Sequence, residues 1–259
     1  MTPSARFAAL LLPASLLAAA CASVPRDPAA HAEFKANHDP LEPLNRSVFA
    51  FNLFADRILI KPLAKGYLRL VPKDARAALR HFLDNLNEPI VVANTLLQSR
   101  PHAAATAGGR FLVNIIFGFA GLSDVASANN LRKQTGDFGQ TLWSWGAPEG
   151  PYLILPLIGP SNPRDGIGSG VDVYLDPLRT IAPARSYPTG VSVGRAVADG
   201  IDQRAGNIDA LDEMQRESID YYASFRSLFR QHREAELRSG GPAASLPQAP
   251  PDLYQDPGG

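Results

Sequence analysis

The chain has 259 residues, and its 25 Lys and Arg residues balance 25 Asp and Glu residues, so the formal net charge is zero. This balance argues against nucleic acid as a partner, because neutralising phosphates needs a surplus of basic side chains. The single cysteine excludes a disulfide framework and a cysteine-rich metal site, while a hydrophobic fraction of 45% is typical of a folded protein.

Residues 1–20 have the pattern of a secretion signal, in which Arg6 precedes an apolar run and small residues stand directly before Cys21. The run Leu17-Ala18-Ala19-Ala20-Cys21 resembles a bacterial lipobox, which predicts cleavage before Cys21 and lipidation of its sulfur. The alternative is cleavage near this position that leaves a free thiol. Ala22 is not Asp, so the retention pattern of the inner membrane is absent, and an outer-membrane destination is favoured in a Gram-negative cell.

The prolines divide the remainder of the chain. Residues 102–147 and 189–241 contain none of the 23 prolines, so these two stretches are where long helices are expected. Residues 21–40 are polar and flanked by prolines, which indicates a tether, and residues 239–259 are rich in Pro, Gly and Ala, which predicts a disordered tail. The folded domain is therefore expected between residues 41 and 238.

The first apolar segment of the domain predicts a helix over Asn45–Ile60, which we expect to end at Pro62. At 100° per residue, Asn45, Asn52 and Asp56 share a narrow polar stripe, and Val48, Phe51, Phe54 and Ile58 occupy the broad apolar face. Two interpretations are open. The polar stripe faces water, as in an ordinary amphipathic helix, or the helix is bathed in lipid and its polar stripe faces an internal aqueous path.

A second apolar segment, Phe111–Ala126, is too short to cross a bilayer as a helix. Burial in a protein core is the default interpretation, and an interfacial or re-entrant position is the alternative. Between the two apolar segments, Lys73–Asn87 predicts an amphipathic helix that Glu88-Pro89 ends, and Ile90–Gln98 begins another.

The second half of the domain contains two stretches with different residue patterns. Residues 136–190 are rich in Gly, Pro and aromatic side chains, which predicts a long irregular region with a short extended passage at Tyr152–Ile158 and no regular sheet. Residues 192–238 return to a helical pattern.

Residue patterns that support catalysis or metal binding are missing from the sequence. The five histidines have no metal-ligand spacing, and the run Gly166–Gly170 fits neither a nucleophile elbow nor a dinucleotide fingerprint. We therefore predict no catalytic residue, no metal site, no cofactor and no enzymatic activity. A lipid-modifying hydrolase and a structural envelope lipoprotein are the alternative functions.

An ordered series of short motifs resembles the MlaA (VacJ) family of outer-membrane lipoproteins, between about Asp39 and Arg233. In chain order the motifs are Asp39-Pro-Leu-Glu-Pro-Leu-Asn-Arg46, Phe51-Asn52, Asn85-Leu-Asn-Glu-Pro89, Asn94-Thr-Leu-Leu-Gln98, Arg110-Phe-Leu-Val-Asn114, Gly118, Gly121, Asp124-Val-Ala126, Phe138-Gly-Gln-Thr-Leu142, Trp145-Gly146, Gly150-Pro-Tyr-Leu153, Leu155-Pro156, Gly159-Pro-Ser161, Arg164-Asp165 and Asp176-Pro177. Each motif is weak alone, but the ordered series is specific.

The resemblance implies an all-α, ring-shaped assembly of short amphipathic helices with a long Gly/Pro-rich loop region, embedded in one leaflet of the membrane. It implies a lipid-anchored protein on the periplasmic face of the outer membrane. Such a protein associates with a porin trimer, removes mislocalised phospholipid from the outer leaflet and passes it to a soluble periplasmic carrier. Phospholipid is then the transported ligand, and no covalent step is needed.

A phospholipid in transit needs polar lining for its headgroup and apolar surface for its tails. Within the resemblance, we expect the gate to need the close approach or flexibility that two glycines provide. The residues expected to line the channel or contact lipid are Asn45, Phe51, Asn52, Asp56, Asn114, Gly118 and Gly121.

Overall fold

The structure, a computed structural model, describes residues 39–176 and 189–239. The predicted signal, Cys21, most of the predicted tether and nearly all of the predicted tail lie outside the described residues. The chain divides into two compact units, the first ending at Glu42 and the second beginning at Pro43. In the described part of the first unit, the Asp39 carboxylate accepts a hydrogen bond from the Leu41 amide at 3.1 Å.

The described residues are mainly helical, which confirms the predicted predominance of helix. Their helices are α1 (Glu42–Ala55), α2 (Lys61–Leu70), α3 (Lys73–Leu97), α4 (Pro101–Phe117), α5 (Val125–Ala128), α6 (Phe138–Ser144), α7 (Pro163–Leu175), α8 (Thr189–Gly206), α9 (Ile208–Glu217) and α10 (Tyr221–Ser239). A single turn of π-helix, Asp56–Ile60, joins α1 to α2, and two strands, β1 (Leu153–Leu155) and β2 (Gly159–Ser161), pair antiparallel as a hairpin.

The prediction that Pro62 ends the first helix is wrong. The Lys61 amide bonds to the Asp56 carbonyl, five residues back, and Pro62 then occupies the first turn of α2. Proline lacks an amide hydrogen, so it interrupts a regular α-helical ladder but is tolerated where a turn has already changed its bonding pattern. The wide turn therefore lets the chain stay helical from α1 into α2.

The prediction that Glu88-Pro89 separates two helices is also wrong, because α3 runs from Lys73 to Leu97 with Pro89 inside it. Burial of one face explains why the helix continues past Pro89. Asn85, Glu88 and Asn94 lie on its buried face, where tertiary contacts compensate for the hydrogen bond that Pro89 cannot make.

Helix α4 has its polarity inverted. Its buried positions include Ala103, Ala107, Arg110 and Asn114, which are four, three and four residues apart and so share one face. The large apolar side chains lie on the outside, and Ile116 is 66% exposed. The default expectation that the segment beginning at Phe111 is buried in a core is therefore wrong.

None of the helices within residues 39–176 and 189–239 combines the length and the apolar character needed to cross a membrane.

The region predicted to be irregular contains more regular structure than expected. It forms α6, the β1–β2 hairpin and α7, and the hairpin pairs Leu153 with Ser161 and Leu155 with Gly159. Side-chain caps explain both helix starts, since Asp137 accepts from the Gln140 amide and Asn162 accepts from the Asp165 amide. The prediction that prolines prevent a regular sheet is wrong for this short hairpin.

The C-terminal segment confirms the predicted return to helix, which takes the form of α8, α9 and α10. An aromatic cluster joins α10 to α1 and the hairpin, where Phe49, Tyr152, Ile154 and Tyr222 are buried. Farther along α10, Arg233 donates to Asp137 at 2.7 Å and to Asp165 at 2.9 Å, which connects this helix to the starts of α6 and α7.

A buried ionic network holds α3, α4 and the loop after α4 together. The Arg110 guanidinium is 2% exposed and donates to Glu88 at 2.7 Å, to Asp124 at 3.1 Å and to the Leu131 carbonyl. Burial raises the pKa of Glu88, and the Arg110 guanidinium opposes that rise. Burial acts on Asp124 too, but hydrogen bonds from Ser127 and Arg110 outweigh it and lower the pKa of Asp124 to about 2.

Replacing Arg110 by alanine is expected to destabilise the protein by ~3–5 kcal/mol, because the Glu88 carboxylate would remain buried without its partner. Arg132→Ala, at an exposed position, is the matched control and should change stability by less than ~0.5 kcal/mol. Chemical unfolding in detergent, followed by circular dichroism, measures both. Equal stability of the two variants would contradict the assigned role of Arg110.

Candidate functional site

One face of α1 carries the predicted polar stripe. Asn45, Phe49, Asn52 and Asp56 are four, three and four residues apart, so they form a continuous row along the helix and into the π-turn. Asn45 is 1% exposed, and Asn52 and Asp56 are half-buried. The interpretation in which this stripe faces water is therefore wrong, because the stripe faces other elements of the protein.

Two asparagine side chains of the stripe hold the hairpin against α1. Asn45 donates to the Tyr152 carbonyl at 2.9 Å and accepts from the Ile154 amide at 2.9 Å. Asn52 donates to the Leu155 carbonyl at 3.0 Å and accepts from the Leu157 amide at 2.8 Å. Each side-chain amide group therefore donates to one backbone carbonyl and accepts from the backbone amide two residues later, as the backbone of a neighbouring strand would.

Beside this contact lies a cavity of about 160 Å³. Its polar lining comes from Asn52, Asp56, Arg204 and Gln215. Its apolar lining includes Phe49, Leu53, Ile154, Leu157, Ile158 and Phe225. The cavity therefore places charged and apolar side chains around one space, as a site for an amphipathic molecule requires.

The charged lining of the cavity belongs to a four-membered ionic cluster. Arg204 donates to Asp56 at 2.8 and 3.0 Å and to Asp212 at 3.2 Å, and Lys61 lies 2.8 Å from Asp212. The hydrogen bond that Arg204 donates to Asp56 raises the pKa of Arg204, and the hydrogen bond that Asp212 accepts from Lys61 lowers the pKa of Asp212. The cluster thus pairs two basic side chains with two acidic ones, and their formal charges balance.

Asn114 and the two glycines lie away from this cavity, at the end of α4. Asn114 is 3% exposed, donates to Asp124 at 3.2 Å and accepts from the Ala126 amide at 2.9 Å. A Cβ at Gly118 would overlap the carbonyl oxygens of Asn114 and Ser123.

Gly121 has a φ of +93°, and a Cβ there would approach the Asn85 amide nitrogen to 2.7 Å. Both glycines thus permit a close approach of the backbone. A gating role for them stays a prediction, as does lipid contact by Asn114.

Phe51 lies on the outer face of α1, 51% exposed. It belongs to a larger set of exposed apolar side chains on α1, the π-turn, α4 and the loop after α4. Members of this outer apolar surface are Phe51, Phe54, Ile58, Leu59, Leu112, Ile115, Ile116, Phe117 and Phe119. Lipid contact is the environment in which such exposure has no free-energy cost.

The structure brings Asn52 and Asp56 together at the cavity and buries Asn45 against the hairpin beside them. Sequence reasoning did not identify Arg204, Lys61 or Asp212 as members of the site. These residues are far apart in the chain, and an Arg or Asp on a helical segment is usually a solvated surface residue. No spacing in the sequence distinguishes them from such surface charges.

Comparison with known proteins matches the chain to one family. The model of the MlaA lipoprotein family matches residues 37–236. The intermembrane phospholipid transport system lipoprotein MlaA of Escherichia coli is 34% identical over 240 residues, covering 91% of this chain and 90% of the relative. Its counterpart in Haemophilus influenzae is 32% identical over 229 residues, covering 85% of this chain and 87% of the relative.

A solved structure, from work on the structural basis for maintenance of bacterial outer membrane lipid asymmetry, superposes with a TM-score of 0.65 at 34% identity. The match covers 75% of this chain and 96% of that chain.

The fold and the site define a helical protein with polar groups between its helices and apolar side chains outside. The family match covers most of the chain, so the chain belongs to the MlaA lipoprotein family, as the motif series predicts.

Replacing Asn45 or Asn52 by alanine is expected to loosen the hairpin at different amides. Asn45→Ala should speed hydrogen exchange of the Ile154 amide, and Asn52→Ala that of the Leu157 amide, by roughly tenfold or more, since each amide loses its acceptor. Mass spectrometry of exchanged peptides measures both.

Asn129→Ala is the matched control, because the Asn129 side chain donates to the nearby Val125 carbonyl, away from the hairpin. The assignment would be contradicted if the Ile154 amide exchanged no faster in Asn45→Ala than in Asn129→Ala, and the Leu157 amide no faster in Asn52→Ala than in Asn129→Ala.

Proposed function

We propose that this chain is a lipid-anchored component of an intermembrane phospholipid transport system, attached through Cys21 to the inner leaflet of the outer membrane at its periplasmic face. It takes mislocalised phospholipid from the outer leaflet and passes it to a soluble periplasmic carrier. It therefore maintains lipid asymmetry. The transfer needs no cofactor and no covalent step, and a porin trimer is the membrane partner.

The inverted polarity of α4 is the observation that carries this proposal. A helix that buries Arg110 and Asn114 while exposing Leu112, Ile115 and Ile116 is unfavourable in water, because the apolar groups gain nothing from folding. In hydrocarbon the same arrangement is favourable, since polar contacts then hold the helices together and the outer side chains are solvated by lipid.

The exposed apolar side chains of α1, α4 and the loop after α4 support insertion into one leaflet of the membrane. We propose that the helices form a ring that lies in that leaflet, with the outer apolar surface towards the lipid tails. The cavity lined by Asn52, Asp56 and Arg204 is then part of the polar path for headgroups, and Asn45 keeps the hairpin beside it.

Charge on the outer apolar surface is expected to weaken membrane binding. In a secreted, unacylated Cys21→Ser chain, Ile116→Glu should lower partitioning into liposomes about tenfold or more, because an embedded apolar side chain contributes ~1.5–3 kcal/mol. Liposome flotation measures this partitioning, and circular dichroism checks that the fold is kept.

Ser227→Glu, at an exposed position of α10, is the matched control and should partition as the parent does. A lipid-free parent that is freely soluble and indifferent to liposomes would overturn the embedded arrangement.

A strain that lacks this gene is expected to accumulate outer-leaflet phospholipid, and the unaltered gene should remove it. The Asn52→Leu variant should fold normally but should not remove the outer-leaflet phospholipid, because the substitution removes a side-chain amide group from the cavity and from the hairpin contact. Asn129→Leu should restore lipid asymmetry fully. The measurement is the amount of phospholipid accessible to a phospholipase added outside the cells.

The outcomes separate the alternative functions. Normal surface phospholipid in the strain lacking the gene would favour a structural envelope lipoprotein. Release of fatty acid from labelled phospholipid by the purified protein would favour a hydrolase, whereas recovery of intact lipid supports a carrier or channel.

A further inference from the structure

A row of basic side chains runs along the π-turn, α2 and the start of α3. Between residues 57 and 80 a basic residue recurs every three or four positions, and Asp74 is the one acidic residue among them. The members of this basic row are Arg57, Lys61, Lys65, Arg69, Lys73, Arg76 and Arg80. Because basic and acidic side chains balance over the whole chain, this stretch concentrates positive charge locally.

Most of this charge has no acidic partner. Lys61 pairs with Asp212 at 2.8 Å, and Arg80 pairs with Asp202 at 2.7 Å. The other members of the basic row make no ion pair within residues 39–176 and 189–239. Those that are also exposed are Arg57, Lys65, Arg69 and Lys73. Cations four residues apart on a helix repel each other, and an anionic surface against the row would relieve that repulsion.

The outward face of α2 separates this charge from apolar side chains. Ala64 is 0% exposed and marks the inward face of the helix. At ~100° per residue, Lys65 and Arg69 lie on one flank of the outward face. Leu63 and Leu70, which are 48% and 83% exposed, lie on the other flank. A helix with one basic and one apolar flank is typical of a membrane surface, where the apolar flank enters the acyl region and the cations stay among headgroups.

The apolar flank of α2 continues the outer apolar surface. Ile58 and Leu59, which belong to that surface, lie in the π-turn directly before α2 and are 59% and 58% exposed. The basic row therefore runs beside side chains that we propose to contact lipid tails. In a leaflet, the layer next to the tails is the headgroup layer, whose phosphate oxygens attract Lys and Arg.

We propose that the basic row binds the headgroup layer of anionic phospholipids at the boundary of the leaflet. Lys65, Arg69 and Lys73 contact the phosphate groups, while Leu63 and Leu70 enter the acyl region. This inference rests on the proposed membrane-embedded function and adds a preference for anionic lipid to it.

The test is a competition between two kinds of vesicle for the secreted, unacylated Cys21→Ser chain. Phosphatidylcholine vesicles are mixed with an equal amount of sucrose-loaded vesicles that also contain phosphatidylglycerol, and centrifugation separates the two. At low salt, at least about ten times more protein should be found on the anionic vesicles, because several cations act together at an anionic surface.

Neutralising the row should remove this preference. The triple variant Lys65→Gln, Arg69→Gln and Lys73→Gln should distribute to within about twofold of equality, because it lacks three exposed and unpaired cations. Circular dichroism checks that the variant is folded.

The matched control neutralises three exposed basic residues outside the row, by Arg132→Gln, Arg216→Gln and Arg238→Gln. Its net charge equals that of the triple variant, and it should keep the anionic preference of the parent.

A second measurement needs no substitution in the row. Raising the salt from ~0.1 M to ~1 M shortens the screening length from about 10 Å to about 3 Å. The anionic preference of the Cys21→Ser chain should therefore fall at least about fivefold, and this result decides the question if the triple variant fails to fold.

Equal distribution of the Cys21→Ser chain at low salt, an anionic preference that salt does not change, or an unchanged preference in the folded triple variant would overturn the assignment of the basic row. An equal loss of preference in the triple variant and in the control would also overturn it, because net charge would then be responsible. These outcomes leave membrane embedding intact, whereas a chain that binds neither kind of vesicle would contradict the proposed function itself.

Discussion

The contact between α3 and α4 depends on the Arg110 guanidinium. Water cannot satisfy this group, because it is buried, so Glu88 and Asp124 must remain where they are for the group to keep its partners. The surrounding α4 residues Ala103 and Ala107 are small, which lets the helices approach closely. Small residues combined with polar interhelical bonds are the means by which helices associate in lipid, where apolar burial supplies no driving force.

The same principle operates between α1 and the hairpin, with neutral groups in place of charges. An isolated two-stranded hairpin is marginally stable, and this one has only three residues in each strand. Asn45 and Asn52 supply hydrogen bonds that a third strand would otherwise provide, and the aromatic cluster around Phe49 and Tyr152 packs beside them. The hairpin can therefore keep a defined position next to the cavity while Leu157 and Ile158 stay exposed.

Sequence patterns predicted which segments are helical better than they predicted where the helices end. The spacing of Asn45, Asn52 and Asp56 identified a polar row on α1, but periodicity alone cannot tell whether a row faces water or protein. That distinction depends on partners such as Tyr152, more than a hundred residues away. Proline rules placed helix ends at Pro62 and at Glu88-Pro89, and both predictions were wrong. A wide turn keeps the chain helical before Pro62, and tertiary contacts of the buried face compensate for Pro89.

The sequence predicted only part of the candidate site, for a related reason. The polar stripe identified Asp56, but its partner Arg204 lies 148 positions later on a helix with no distinguishing motif.

The π-turn at Asp56–Ile60 lies between the two members of the ionic cluster that are near each other in the chain, Asp56 and Lys61. In a regular helix, side chains five residues apart point in directions ~140° apart, so Asp56 and Lys61 would face different neighbours. Across the wide turn, Asp56 pairs with Arg204 and Lys61 pairs with Asp212, while Arg204 also reaches Asp212. Pro62, which has no amide hydrogen to donate, is tolerated directly after this wide turn.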